Sequence, residues 1–164
     1  INAGADAYII KPFSTTYLTS RIIKLIEQRE KLQYKFAHEP GMIQTTICTT
    51  DKDKEFIARI HDIIEKHLDN PDFLIDNFAQ AANMGRTIFY KKIKGITNYS
   101  PNEYLRIIRL KKAAELLKTT ELNVSEIAYK VGFNDPDYFS KCFKDLFGMR
   151  PTQFRTGKEG NTAQ

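Results

Sequence analysis

A thirteen-residue stretch occurs twice in this chain, 50 positions apart, and it restricts the possible folds more than any other feature. Written from Phe89, FYKKIKGITNYSP aligns without gaps on FSKCFKDLFGMRP from Phe139, pairing Phe89 with Phe139, Lys91 with Lys141, Lys94 with Lys144 and Pro101 with Pro151. Upstream of each copy the apolar stripe Ile75, Phe78, Ala79, Ala82 returns as Val124, Ile127, Ala128, Val131. Apolar residues at such spacing line one face of a short helix. Each half therefore reads as a short helix, a tight turn and a second helix, which is helix-turn-helix form.

The residue choices fit that reading. Ala79 and Ala128 are small enough for the second helix to pack close, and Gly132 can take the positive φ of a tight turn. The second helices, starting after Gly85 and at Asp135-Pro136, each bury one stripe and leave the opposite face free. Ser100-Pro101-Asn102-Glu103 has the form of a capping box with proline in the first turn, and Asn123 with Glu126 makes another. The helix from Asn102 to Lys118 has 17 residues and spans about 25 Å at 1.5 Å per residue. That rigid spacer is comparable with one turn of duplex DNA, about 34 Å, so two second helices could enter successive major-groove segments from one side. A further helix carries Phe56, Ile57, Ile60, Ile63, Ile64 and Leu68, and a short turn of helix is expected around Thr152 to Arg155.

Charge is distributed in a way that suits a polyanionic partner. Residues 84–118 hold nine Lys or Arg against two acids, whereas residues 37–83 hold four against nine. The net charge of +5 is modest, and a basic stretch is equally compatible with a solvated surface. A hydrophobic content of 41% argues for a folded chain. Cys48 and Cys142 stand far apart without a Cys-x-x-Cys pair, which indicates a reducing, cytoplasmic setting and neither a disulfide framework nor a zinc site. No apolar run is long enough to span a bilayer, so no membrane contact is expected.

The front of the chain is different in character. Ala7-Tyr8-Ile9-Ile10 reads as a buried strand ending at Lys11-Pro12, and a helix capped by Ser14 or Thr15 follows, with Leu18, Ile22, Leu25 and Ile26 at helical spacing up to roughly Arg29. One strand and one helix make no domain, so this piece reads as the end of something longer. Residues 37–54 mix Pro, Gly, Thr and charge and read as a linker. The expected organisation is a strand-helix fragment over 1–36, a linker over 37–54, a helical domain over 55–157 and a tail over 158–164. The fold class is mainly α: two helix-turn-helix subdomains joined by a long helix, preceded by a remnant strand and helix of an α/β domain.

Over roughly residues 56–155 the sequence resembles the AraC family of transcription regulators, through FAQAANMGRTIFYKKIKGITNYSPNEYLRIIRLKKAAELL and VSEIAYKVGFNDPDYFSKCFKDLFGMRPTQFR. The resemblance implies a double helix-turn-helix DNA binder that contacts promoter DNA and recruits or positions RNA polymerase. Carried over by position, the first reading helix would present Arg86, Thr87, Tyr90, Lys91 and Lys94, and the second Pro136, Asp137, Ser140, Lys141 and Lys144. Gly85 stands where the family often has a capping Ser, and Asn98 where it often has Gly; Gly is an acceptable cap and Asn tolerates the left-handed conformation. Pro136 has no donor and Asp137 repels phosphate, so the second helix is expected to position more than it specifies.

GADAYIIKPF resembles the end of a response-regulator receiver domain. The resemblance implies that Lys11 would contact a phosphoryl group on an aspartate, that the Lys11-Pro12 bond is cis, and that the whole protein belongs to a two-component phosphorelay, including hybrid forms with an upstream sensor kinase. The acceptor aspartate lies on earlier strands of that fold. Phosphorylation would then alter dimer contacts, making a homodimer the expected working form.

Other chemistry finds little support. His61 and His67 are six apart, unlike paired zinc ligands at i, i+4, and read as surface histidines with His38. Asp51, Asp53 and Glu55 lack the Gly and the twelfth-position Glu of a calcium loop. No catalytic motif or phosphate loop occurs, so neither an enzyme nor a cofactor is expected. Phe89, Phe139, Phe143 and Phe147 read as core. The rival reading is an interaction module whose two basic helices bind an acidic protein.

Overall fold

The computed structural model describes residues 11–42, 47, 48 and 50–157. Among these residues there are eight helices and no strand: α1 (Thr15–His38), α2 (Asp51–Lys66), α3 (Ile75–Ala81), α4 (Arg86–Thr97), α5 (Pro101–Thr119), α6 (Val124–Lys130), α7 (Pro136–Phe147) and α8 (Pro151–Thr156). The strand expected at residues 7–10 lies outside the described residues.

The helix starts follow their local chemistry. Ser100 Oγ accepts from the Glu103 amide at 3.3 Å while the Glu103 carboxylate accepts from the Ser100 amide at 2.8 Å, with Pro101 in the first turn of α5. Asn123 and Glu126 make the same reciprocal pair at 2.9 and 2.7 Å ahead of α6. Two orphan donors are satisfied at each helix start.

The two helix-turn-helix units are α3–α4 and α6–α7, and their turns are built alike. Asn83 at φ 52° and Gly132 at φ 78° are equivalent left-handed residues directly after the first helix. Met84 N donates to Ala79 O at 3.0 Å, and Phe133 N to Ala128 O at 2.9 Å, so each turn closes on the small residue of its own first helix. Both second helices also end alike, at Asn98 (φ 66°) and Gly148 (φ 76°). The expected tolerance of Asn98 for the left-handed conformation holds.

α5 carries both units. On one side of it Phe78, Ala79, Phe89 and Ile93 pack with Phe56, Ile57, Ile60 and Ile64 of α2 and with Tyr104, Leu105 and Ile108. On the other, Ile127, Ala128, Val131, Phe139 and Phe143 pack with Leu110, Ala113, Ala114 and Leu117. Leu68 and Leu146 touch both clusters. A helix flanked by two such units must be apolar around most of its circumference, unlike a one-sided surface helix.

Two expectations are corrected in the first core. α1 continues nine residues past Arg29 to His38, and the stretch read as a linker contributes Ala37 and Ile47, together with Phe36 just before it, to the core at 0%, 2% and 1% exposure. Lys111 of α5 holds the end of α1 in place. Its ammonium donates to the carbonyls of Phe36 (2.5 Å), Glu39 (2.9 Å) and Met42 (2.9 Å), and lies 4.2 Å from the centre of the Phe36 ring. All three ammonium donors are used on the carbonyl-rich end of α1, where intrahelical partners run out. Burial pushes the Lys111 ammonium down to about 8, and the Glu39 carboxylate opposes this. His61 is also not a surface residue: it is half-buried, with Nε2 3.0 Å from the Tyr104 hydroxyl, and burial lowers its pKa to about 4, with Lys111 adding to the effect.

Candidate nucleic-acid interface

α4 buries Phe89, Ile93 and Ile96 and exposes Arg86, Thr87, Tyr90, Lys91 and Lys94. Four of these, Arg86, Thr87, Tyr90 and Lys91, line one open cleft with Ser100, Pro101 and Asn102 at the start of α5. Lys94 lies 5.9 Å from the centre of the Tyr90 ring, so the ring is held against a cation on the same exposed surface.

α7 repeats this arrangement. It buries Phe139 and Phe143, and Asp137, Ser140, Lys141 and Lys144 line a second cleft with Arg150, Pro151 and Thr152 at the start of α8. Asp137, Lys141 and Lys144 are exposed, while Ser140 and Pro136 are half-buried. The 50-residue offset that pairs Lys91 with Lys141 also pairs Ser100-Pro101-Asn102 with Arg150-Pro151-Thr152. The sequence marked Ser100-Pro101-Asn102 only as a helix start and Pro101 and Pro151 only as repeat partners, and did not assign these residues to the walls of a cleft.

The two clefts differ in electrostatics. The first cleft is lined by Arg86 and Lys91 with no acid, whereas the second is lined by Lys141, Lys144 and Arg150 together with Asp137 and Asp145. At its start α4 has Gly85, which places no side chain over the first amides. The start of α7 is closed by its own residue: Asp135 Oδ1 accepts from the amides of Asp137 at 2.8 Å and Tyr138 at 3.2 Å. Free amides and a positive helix end attract anions, and a resident carboxylate removes that attraction. The first cleft is therefore the stronger anion-facing surface.

One relationship on α4 was invisible in the sequence pattern. Arg86 Nη1 lies 3.0 Å from Asp76 Oδ1 and 3.2 Å from Oδ2, across the turn from α3. Both side chains are about two-thirds exposed, so the pair is worth at most about 1 kcal/mol and can open at low cost. Lys11, the other residue singled out from sequence, is exposed ahead of α1, and the Lys11–Pro12 bond is cis, as the receiver resemblance implies. It is not brought near either cleft's lining residues.

Two helix-turn-helix units on one connecting helix, each presenting an outward second helix, define a double helix-turn-helix domain. The helix-turn-helix domain family matches residues 78–157. The C-terminal domain of AraT, a response regulator from Geobacillus stearothermophilus, is 33% identical, with 66% of this chain and 91% of that one covered and a TM-score of 0.57. The DNA-binding domain of AdpA, a global transcriptional factor solved in complex with a target DNA, is 27% identical over 70% of this chain and 99% of its own, with a TM-score of 0.56. Histidine kinase P4 of Formosa agariphila is 38% identical over 155 residues, which is 94% of this chain and 11% of that protein. The chain belongs to the AraC-type family of helix-turn-helix transcription regulators. It spans between 11% and 38% of the length of the curated relatives it matches.

Proposed function

We propose that this chain is the DNA-binding output end of a two-component regulator, reading promoter duplex through α4 and α7. The observation that carries the reading is the paired construction of the two clefts, each formed by an exposed face of a second helix and the start of the next helix, at either end of α5. With 19 residues α5 is about 28 Å long, so the clefts fit successive major-groove segments on one side of a duplex. Arg86, Thr87, Tyr90 and Lys91 reach base edges or the phosphates beside them, Lys94 and Lys144 meet phosphates, and Ser140 and Lys141 are the best contacts of α7.

Residues 1–36 are then the end of a receiver domain, with Lys11 in the position that contacts the phosphoryl group in a complete receiver. The likeness to a histidine kinase across nearly the whole chain supports a hybrid parent, with a sensor upstream and this output domain on the cytoplasmic side. RNA polymerase and a second copy of the protein are the expected partners on promoter DNA.

Selection of bound duplexes from a random pool at near-physiological salt tests this function. Enrichment of a motif with two elements about one turn apart is expected. Salt-sensitive retention without enrichment would reduce the binding to nonspecific electrostatics and sink the reading.

A further inference from the structure

The last turn of α4 is held from outside its own helix-turn-helix unit. Arg29 Nη2 donates to the Gly95 carbonyl at 2.6 Å, and Gln33 Nε2 donates to the Ile96 carbonyl at 2.9 Å. Both donors lie on α1, one turn apart, and both acceptors lie at the carbonyl end of α4, where no further helical amide follows to receive them. Gln33 is 5% exposed and meets a carbonyl beside the buried Ile96 side chain, so water cannot replace it freely. α1 is itself fixed a turn later by Lys111, whose three bonds end on the carbonyls of Phe36, Glu39 and Met42. The body of α1 and the end of α4 are thus joined by two side-chain hydrogen bonds, an exposed one from Arg29 and a buried one from Gln33.

We propose that Arg29 and Gln33 are positioning residues for DNA reading: they set the seating of α4, so that the helix entering from the upstream side and the first reading surface move as one body. The inference rests on the reading of α4 as a DNA contact. It places the regulatory input at the carbonyl end of α4, on the side of the helix away from its base-reading first turns. A rigid helix bonded to a second helix transmits displacement in a way that a flexible tether does not. The residues that do this lie outside the part of the chain that the helix-turn-helix family matches.

The test compares the 164-residue chain with an Arg29→Ala/Gln33→Ala double variant and with Arg29→Lys, which keeps a donor. Amide hydrogen exchange should accelerate roughly tenfold in the last turn of α4 in the double variant, with α7 unchanged as the internal reference, and Arg29→Lys should stay close to the parent. With duplexes selected by the unaltered chain, the double variant should lose discrimination at the element read by α4 and keep it at the element read by α7. Unchanged exchange in α4 overturns the proposal, and so does equal acceleration in α4 and α7, which would mark a general loss of stability. Failure of the unaltered chain to select any motif would instead sink the DNA reading, and the exchange result would still decide whether α1 seats α4.

Discussion

A Cβ added to Gly132 would sit 2.8 Å from the guanidinium carbon of Arg109. The same position is 2.5 Å from the Leu68 carbonyl oxygen, and Gly132 has φ 78°. Arg109 is 8% exposed, donates to the Asn70 carbonyl at 2.5 Å, and fills the joint between the α2–α3 loop and the turn of the second unit. Gly132→Ala should therefore lower stability by roughly 2 to 4 kcal/mol, combining left-handed strain with overpacking against backbone. Asn83→Gly, at the equivalent turn, should change it by less than about 1 kcal/mol. Urea denaturation of the two variants checks this, and equal midpoints would contradict it.

On the proposed reading of α4, Asp76 competes with DNA for Arg86. Asp76→Asn frees the guanidinium and removes a carboxylate beside the first cleft, so duplex affinity should rise by about 0.5 to 1 kcal/mol, most at low salt. Binding titrations at two ionic strengths measure it. A fall in affinity would mean that the ion pair holds Arg86 in its binding orientation.

The electrostatic difference between the clefts predicts unequal readers. Lys91→Ala should weaken binding to a selected duplex by roughly 1 to 3 kcal/mol, and Lys141→Ala by less, because Asp137 and Asp145 already offset charge on α7. Equal losses would show that the second helix reads bases as strongly as the first. Lys94→Ala and Lys144→Ala, as phosphate contacts, should each reduce the salt slope by about one without altering sequence preference.

His61 gives the fold a pH dependence. Burial disfavours its charged form, lowering the pKa from 6.5 to about 4, so the unfolded chain binds the proton more tightly than the folded one. The stabilisation is complete above about pH 6.5 and is lost as pH falls toward 4, by an amount on the order of 3 kcal/mol. His61→Gln removes this titration. Denaturant midpoints at pH 7 and pH 4.5 should converge more closely in the variant than in the parent, and an identical pH dependence in both would exclude His61 as the source.

Lys111→Met removes the side-chain donor from the Phe36, Glu39 and Met42 carbonyls, of which Glu39 keeps the Met42 amide. Stability should fall by roughly 1 to 3 kcal/mol, with amide exchange rising at the carbonyl end of α1 and little change in α7. Equal exchange throughout would show that water satisfies those carbonyls as well as the ammonium does.

The helix-turn-helix pair, the capped starts of α5 and α6 and the exposed faces of α4 and α7 were all legible in the sequence. Each depends on residues within about one or two turns of one another: Ser100 with Glu103, Asn123 with Glu126, the stripe Ile75-Phe78-Ala79-Ala82, and Phe89 with Ile93. Spacing along a helix translates directly into a face or a cap, and the repeat at 50 residues states each answer twice. What the tertiary structure alone decided depends on groups far apart in the chain. Lys111 reaches the end of α1, Arg29 and Gln33 reach the end of α4, Arg109 closes on Gly132, and His61 meets the Tyr104 hydroxyl. Composition made residues 37–54 look like a linker because Pro, Gly and Thr report local backbone preference. Ala37 and Ile47 are buried in one cluster with residues of α2 and α5, and no local pattern carries that information.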